Sequence, residues 1–321
     1  KGGTVTTSGG ARVIGNGGTL DGVTVSGEVE VGQSFNGAGL TVKNGLVLNG
    51  TLYVGDPVTQ AYGGVHFEGT QTLGGSGSVV FGNIHYNTVR LSVPNTTLTL
   101  GAGITVRGHS GSVGVGGIYG DAGGAAVVNQ GTIAADVAGG SINVRGQSVT
   151  NQGTMRAAGG ANLTVSGSSV VNAATLQATA AGSVLTVAGT GVVNQAAGTA
   201  TVSGGGTFNF GSNGETDTVV NAGAIAVGAG STLTLAGTWS STGTIVTTSA
   251  TVNVGGRFTA AQLLTIQHTG GTFNVAGVLD NTGANLVVNA TTGPLVLAGG
   301  ATLKGGTVTT SGGARVIGNG G

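Results

Sequence analysis

The sequence predicts an all-β chain folded as a right-handed parallel β-helix, a β-solenoid with about 21 residues and three short strands per coil. Three observations support this fold. An alternating apolar pattern recurs at a nearly constant spacing, and a second motif containing Asn keeps the same phase. The chain also combines 70 glycines with many Val, Ile, Leu and Thr residues. Parallel crossovers are right-handed on general grounds.

The first pattern is a four-residue segment with apolar residues at its second and fourth positions, usually followed by Gly. Successive segments start about 21 residues apart, except that the first gap spans two coils. Alternation with a period of two is typical of a strand with one buried face. The segments begin at Thr97, Ser141, Asn162, Val184, Thr207, Thr232, Thr251, Thr272 and Pro294.

The second motif places Asn after apolar residues, as in VVNQGTI and VVNAGAI. Because it keeps phase with the first pattern, the period belongs to a structural coil. We expect the Asn side chains to turn inward and to form a column of amides that hydrogen-bond to one another and to corner backbone. A ligand-binding ladder is the alternative. The column comprises Asn129, Asn151, Asn172, Asn194, Asn221 and Asn281.

Other repeat folds fit this spacing less well. Leucine-rich repeats share the period, but they need L-x-x-L-x-L and a helical return segment, and the sequence shows no helical periodicity. Propeller blades need periods near 40 and aromatic signatures. Roughly fourteen coils, at about 4.8 Å each, would make 303 residues about 70 Å long.

Alternation also divides the strand side chains into an outward and an inward set. The outward set is mainly Thr and Asn in broken rows, for which binding of ice or crystalline polysaccharide is a minor alternative. Trp239 and Phe258 stand where other coils have Val or Ile, which indicates core filling. The inward set is Leu98, Leu100, Leu163, Val165, Leu185, Val187, Phe208, Phe210, Leu233, Leu235, Phe273, Val275, Leu295 and Leu297.

Residues 1–18 (KGGTVTTSGGARVIGNGG) recur unchanged as residues 304–321. We interpret the chain as one continuous solenoid over residues 1–321, made of one repeat unit, residues 1–303, and the opening of the next. The junction between units is marked by Lys1, Gly18, Lys304 and Gly321. The first third is less regular, and we expect it to leave the solenoid in excursions at residues 56–67, 82–90 and 108–124.

Composition excludes several classes of function. Ten basic and ten acidic residues give a formal net charge of zero, which argues against nucleic acid as a partner. Gly, Thr, Ser or Asn interrupts every apolar stretch, so no run reaches the roughly 20 residues of a membrane helix. With 6% charged residues and no cysteine, the chain does not have the composition of an ordinary globular enzyme.

The VVNQGTI and TLTL coils and the segment GGTVTTSGGARVIGNGGTLDGVTVSG resemble the large repetitive exoproteins of Gram-negative bacteria. These include filamentous-haemagglutinin-like adhesins and autotransporter passengers. The resemblance covers essentially the whole chain and rests on low-complexity coils. It implies a right-handed parallel β-helix, an extracellular or cell-surface location, and adhesive or structural work. The sequence lacks the family's secretion domain, so the export route stays open.

Titratable and aromatic side chains are concentrated in the first third. Loops there could bring an acid, a base and a stacking aromatic over a sugar, as in carbohydrate-active β-helix enzymes. The alternative is a set of polar loop residues spread over several coils, and we therefore predict no catalytic residue and no enzyme. The group is Asp56, Tyr62, His66, Glu68, His85, Tyr86 and Arg90.

No metal site or cofactor is predicted. Residues 211–217 (GSNGETD) place Asn213, Glu215 and Asp217 at alternate positions, where oxygen ligands could hold Ca²⁺. The segment also lengthens its coil, and a solvated loop is the preferred interpretation. His109 and His268 stand alone, without a second histidine or carboxylate at metal-ligand spacing.

The sequence as a whole predicts a structural filament or stalk outside the cell, with adhesion or surface coating as its task. Its partners would be further copies along the axis, joined covalently or end to end, and surface glycans. Exact recurrence of the opening segment favours the covalent route, because separate subunits need no duplicated ends. The alternatives are a carbohydrate-active enzyme, namely a polysaccharide lyase or hydrolase, and a glycan-binding or ice-binding module.

Overall fold

The computed structural model describes residues 1–212, 217–290 and 292–319. Their regular structure is nearly all β-strand. The helical elements are a 3₁₀ turn at Gly117–Tyr119 and the four-residue helix α1 at Ala260–Leu263. The chain divides into two compact units, Lys1–Ser169 and Val170–Gly321. The continuity of one domain over residues 1–321 stays a prediction.

The first unit contains short strands separated by glycine-rich turns, together with several longer strands such as β5 and β9 in the following series. Its strands are β1 Thr4–Thr6, β2 Arg12–Ile14, β3 Thr19–Ser26, β4 Glu28–Val31, β5 Ala38–Leu48, β6 Thr51–Val54, β7 Gly63–Phe67, β8 Gln71–Gly75, β9 Ser78–Leu91, β10 Thr97–Leu100, β11 Thr105–Gly114, β12 Ala126–Asn129, β13 Thr132–Ala135, β14 Ser141–Arg145, β15 Ser148–Asn151, β16 Thr154–Ala158 and β17 Asn162–Asn172, the last of which ends beyond Ser169.

The second unit repeats a simpler coil of three short strands, for example β22, β23 and β24 in the following series. Its strands are β18 Thr175–Thr179, β19 Val184–Asn194, β20 Thr199–Ser203, β21 Thr207–Phe210, β22 Thr218–Asn221, β23 Ala224–Val227, β24 Thr232–Leu235, β25 Thr238–Ser241, β26 Thr244–Val254, β27 Arg257–Thr259, β28 Ile266–Val275, β29 Val278–Asp280, β30 Asn285–Val288, β31 Leu295–Ala298, β32 Thr302–Lys304, β33 Thr307–Thr310 and β34 Val316–Asn319.

Strands pair in parallel with the equivalent strands of the next coil. In the first unit β12 aligns with β15, which places Val127 opposite Val149. In the second unit β21 aligns with β24, which places Phe208 opposite Leu233. Parallel strands stacked about 22 residues apart form a β-solenoid, so the predicted fold class is confirmed. The arrangement is consistent with the right-handed form.

Side chains alternate between a buried and an outward face, and the inward set forms the core as predicted. Leu98 and Leu233 are fully buried, and the set as a whole is buried except for one member. Leu297 is only half-buried, because its partner on β34 is Gly318, which has no side chain to cover it. Trp239 and Phe258 are buried with ring centroids 5.9 Å apart, which confirms core filling.

The expected excursions in the first third are largely strands. Residues 82–90 lie within β9, residues 63–67 form β7, and residues 108–114 end β11. These strands include Gly, His, Tyr and Arg, so their sequences lack the regular alternation of the later coils. Real departures are the loop at residues 56–62, the segment 115–125, and a bulge in β9. Because Ser110 pairs with Asn83 and Ser112 with Thr88, residues 84–87 form that bulge.

Candidate functional site

The asparagine column consists of buried amides that bridge successive coils. In the first unit Asn129 Nδ2 donates to Asn151 Oδ1 at 2.8 Å, and the two residues are partners in the strand register. In the second unit Asn172 donates to Asn194 and Asn194 donates to Asn221, each at 2.7 Å. In each of these pairs the amide donor of one coil therefore meets the amide acceptor of the next, in a place that water does not reach.

The column also closes the corner that follows each Asn. Asn129 Nδ2 lies 3.2 Å from the carbonyl oxygen of Gly131, just ahead in the chain. In the coil after Asn221 the position is taken by Ser241, whose hydroxyl accepts from Asn221 Nδ2 at 3.0 Å. Asn281 is buried and donates to the carbonyl oxygen of Thr307 at 2.8 Å. These contacts are amide-to-amide and amide-to-backbone hydrogen bonds, and the structural role of the column stays a prediction.

A second cluster, which we call the aromatic surface, lies on the outer face of the first unit. It comprises Tyr62, His66, His85, Tyr86, Arg90 and Tyr119. His66 and Arg90 are register partners on adjacent strands β7 and β9. Tyr62 ends the loop at residues 56–62, and the β9 bulge presents His85 and Tyr86. Bulges commonly re-aim side chains in this way.

The rings of the aromatic surface contact one another at close range. Tyr62 and Tyr86 meet edge to face with centroids 5.6 Å apart, and His85 and Tyr86 lie 4.2 Å apart. Tyr119 packs edge to face on His66 at 4.8 Å. Three of the four tyrosines and two of the four histidines of the chain are therefore in one place. This concentration contrasts with the neutral Thr and Asn rows elsewhere.

Tyr119 is the member that the sequence did not identify. It belongs to the 3₁₀ turn in the segment 115–125, which folds back over β7 and β9. The guanidinium of Arg90 lies 5.7 Å from the Tyr119 ring centroid and donates from Nη2 to the carbonyl oxygen of Gly120 at 3.1 Å. A glycine makes room for the ring, because a Cβ at Gly64 would lie 3.0 Å from Tyr119 Cε2.

The two carboxylates of the predicted group are engaged elsewhere. Asp56 Oδ1 accepts from the backbone of Val58 and Thr59 at 2.8 and 2.6 Å, which folds its own loop and lowers the Asp56 pKa. Glu68 pairs with Lys43, with Oε2 2.8 Å from Nζ. The structure thus brings together the aromatic, histidine and arginine members of the group, and it gives Asp56 and Glu68 separate structural partners.

Burial sets the protonation of the aromatic surface. Desolvation, with a further contribution from Arg90, lowers the pKa of His66, so its imidazole is neutral at pH 7. Burial also raises the pKa of Tyr119, which stays a phenol. Arg90 keeps its charge but is nearly fully buried. The surface therefore offers ring faces, hydroxyls and a neutral imidazole to a ligand.

Of the remaining candidate ligands, those that the structure describes have partners within the protein. In the segment 211–217, Asn213 and Glu215 lie outside the described residues, and Asp217 Oδ2 accepts from Ser212 Oγ at 2.6 Å. His109 Nδ1 lies 2.8 Å from Ser110 Oγ. Among the described residues no three His, Asp or Glu side chains are grouped to hold a metal ion. No helix of this part of the chain is long and apolar enough to cross a membrane.

The two copies of the repeated segment form strands at matching positions, and each pairs on a different edge. In the first copy β1 and β2 pair forward, with Thr4 opposite Thr24 and Arg12 opposite Glu28. In the second copy β33 and β34 pair backward with strands of the preceding coil. The same segment therefore uses one hydrogen-bonding edge in the first copy and the opposite edge in the second.

In each copy a basic side chain forms an ion pair with the same neighbouring coil that its strands pair with. Arg12 Nε lies 2.7 Å from Glu28 Oε2 in the following coil. Lys304 Nζ lies 3.3 Å from Asp280 Oδ2 in the preceding coil. Hydrogen bonds from Thr282, followed by that from Lys304, lower the pKa of Asp280 to about 2.

The structure describes two more of the four junction residues, Lys1 and Gly18. Lys1 is exposed, and the carbonyl oxygen of Gly18 accepts from the Thr41 backbone at 3.1 Å. Gly321 lies outside the described residues. Ile14 and its counterpart Ile317 are 52% and 40% exposed, which leaves an apolar position uncovered in both copies.

Comparison of the chain with protein-family models, curated proteins and solved structures finds no match.

Proposed function

We propose that this chain is part of an extracellular structural filament or stalk in which β-solenoid units follow one another, with surface adhesion or coating as its role. The observation that supports the proposal is the pairing of the repeated segment. The first copy bonds to the coil after it and the second copy bonds to the coil before it. A segment with both neighbours would use both edges and continue the ladder.

Burial supports the same proposal. Val5 and Val13 point inward from β1 and β2 but are only half-buried, and Val308 and Val316 are half-buried in the second copy. Equivalent inward valines within the solenoid, such as Val252, are fully buried. A further coil would cover the exposed side of each residue, at a gain of about 25 cal/mol per Å² of apolar surface.

A tandem protein tests this proposal: residues 1–303 followed directly by residues 1–321. We expect electron microscopy to show a single rod about 70 Å longer than the single chain, at about 4.8 Å per coil. Hydrogen exchange should slow in the internal copy of the repeated segment. A flexible hinge between two bodies would contradict the proposal.

The matched control is the same tandem with Val308→Asp and Val316→Asp at the junction. These changes should restore rapid exchange there and allow bending, because they place charges where the next coil would stack. The same two changes in the single chain should alter its stability much less. Equal destabilisation of both proteins would show that the junction buries nothing new.

The aromatic surface supports glycan binding as the adhesive function. Ring faces and hydroxyls can contact the C–H face and the hydroxyls of a sugar, and a neutral imidazole adds hydrogen bonds. Binding of the full chain to immobilised polysaccharides should fall in Tyr62→Ala and Tyr86→Ala. The control is Tyr53→Ala, because Tyr53 lies under Arg12 in the same unit, outside the cluster. Unchanged polysaccharide binding in all three variants would contradict glycan binding by the aromatic surface.

In this proposal the chain is not an enzyme. The support is that Asp56 folds its own loop and Glu68 pairs with Lys43, so neither carboxylate is engaged with the histidines of the aromatic surface. A screen of the full chain against polysaccharides should give no cleavage. Cleavage that disappears in Glu68→Ala and His85→Ala would establish the lyase or hydrolase instead.

A further inference from the structure

The second unit contains one coil in which the strand ladder is interrupted. Strands β27 and β28 are separated by residues 260–265, which include helix α1, whereas the equivalent corners after β22 and β25 are two-residue turns. A capping box holds the helix, since Thr259 Oγ1 accepts from the Gln262 backbone and the Gln262 side chain accepts from the Thr259 backbone. The strand that follows the helix, β28, still pairs in register with β26 of the preceding coil.

The interruption leaves two strand edges without a strand between them. The first four residues of β28 pair backward with β26, with Ile266 opposite Ile245 and Thr269 opposite Thr248. The equivalent strand of the next coil, β30, pairs forward with β33. Among the described residues no pairing joins residues 266–269 to β30. The edges of residues 266–269 and of β30 that face each other are therefore unpaired in this part of the chain.

A cleft of about 430 Å³ lies at this position. Its inner wall is apolar and includes Ile266, Phe273, Leu286, Val288 and Leu295, with Leu263 of α1 at one end. This volume falls within the range of about 300–1,000 Å³ of ordinary ligand pockets. Burial lowers the pKa of His268, which also lines the cleft, so that side chain is neutral at pH 7. The wall thus favours an uncharged occupant.

We propose that this cleft accepts an extended peptide strand, parallel to β28 and β30, with an apolar residue at its first position and a small uncharged residue at its third. The strand would place its first side chain between Ile266 and Leu286 and its third between His268 and Val288, which are the inward positions of the two walls. Its backbone would continue the ladder that already runs on both sides.

An acyl chain or a small apolar molecule fits the cleft less well than a peptide. Both walls are strand edges, and half of the backbone N–H and C=O groups of a strand point to each neighbour. An apolar ligand would cover those groups without bonding them, at a cost of about 1–3 kcal/mol for each one. A peptide strand bonds both edges at once, which is how exposed sheet edges take up extended segments.

A synthetic peptide with the sequence of the adjacent strand β26 can serve as a probe for the cleft. Residues 243–249 (GTIVTTS) contain the first part of β26, which lies against β28 on its other side, with Ile245 and Thr247 inward. A fluorescent synthetic GTIVTTS peptide should bind the full chain saturably, measured by anisotropy. A version with Pro in place of the central Val should bind at least tenfold more weakly, because Pro removes a ladder hydrogen bond.

Val287→Asp and Val246→Asp are the matched variants. Both valines are 39% exposed and point outward from equivalent strands, but Val287 lines the cleft and Val246 lies on a strand paired on both sides. We expect peptide affinity to fall at least tenfold in Val287→Asp and to be unchanged in Val246→Asp. Circular dichroism of both variants checks that they fold alike.

Hydrogen exchange provides the second measurement. Addition of the peptide to the unmodified chain should slow exchange at residues 266–269 and 285–288, and should leave β22 and β23 unchanged. The inference is overturned if no saturable binding occurs, if the two variants lose affinity equally, or if those amides are not protected. It is also overturned if dodecanoate binds the cleft and the peptide does not.

Discussion

Two stretches of the second unit, residues 218–254 and residues 257–288, have similar strands but different ladders. In the first stretch every strand from β22 to β24 pairs with the next coil. In the second stretch β27 forms a separate small sheet with β29 and β32, and within the described ranges β30 pairs with β33 only. Strand composition does not explain the difference, because both stretches alternate apolar and polar residues in the same way.

The corner that follows β22, β25 or β27 does explain it. Residues 221–223 and 241–243 are short turns; Asn221 donates to the carbonyl oxygen of Thr244 in the next coil, and Ser241 donates to that of Gly243 in its own turn. In the interrupted coil the corner begins at Thr259, which caps a helix instead. Gln262 then donates to the carbonyl oxygen of Trp239, so a side chain replaces the missing strand partner. Ladder continuity therefore depends on corner length and on the polar residue that closes the corner.

The largest expected effect is a loss of unfolding free energy, and it should differ between a core residue of the regular stretch and one of the cleft wall. Leu233→Ala removes a fully buried side chain from the regular stretch and should cost about 3 kcal/mol of unfolding free energy. Leu286→Ala, beside the cleft, should cost about 1 kcal/mol less, because the space it leaves joins an existing opening. Denaturant unfolding measures both, and equal losses would mean that the cleft wall is packed like the regular core.

The asparagine column should show the next largest difference. Asn194→Ala leaves the facing amides of Asn172 and Asn221 without one partner each and should cost about 2 kcal/mol. Asn281→Ala removes a single bond to the Thr307 carbonyl and should cost about 1 kcal/mol. The comparison of their unfolding midpoints checks this order. A larger loss at Asn281 would contradict the view that amide-to-amide bonds stabilise the regular coils.

Removal of the helix cap should have a smaller effect that is confined to the interrupted coil. Gln262→Ala loses the capping box and the bond to Trp239 and should cost about 1 kcal/mol. Gln267→Ala, an exposed position on the following strand, is the control and should be nearly neutral. If faster hydrogen exchange in Gln262→Ala extended to β22 and β23, the interruption would not be a local feature.

The smallest effect is a pH dependence at the cleft. Burial lowers the pKa of His268 in the folded chain below its unfolded value of about 6.5. The unfolded chain therefore binds the proton more readily, and stability should be complete above about pH 6.5 and fall as the pH decreases toward the folded pKa. His268→Gln should flatten that slope in urea unfolding at pH 5 and 7. An unchanged slope would assign the dependence to other groups.

The aromatic surface shows how far the sequence could locate a site. Composition alone pointed to residues 56–90 as the place where titratable and aromatic residues gather, and His66, His85, Tyr86 and Arg90 do come together there. Tyr119 was missed, because it reaches His66 through a segment that is distant in the chain. The Gly-rich run GGIYGD that contains Tyr119 was the available signal.

Short patterns that recur in most coils from Thr97 onward were sufficient to predict the coil period, the inward residues and the positions of the column asparagines. The bulge that presents Tyr86, the fold of Tyr119 over His66, and the break between β28 and β30 became visible only in three dimensions. Those features depend on which strand edges pair and on contacts between residues of different coils. Neither is encoded in the local alternation of apolar and polar side chains.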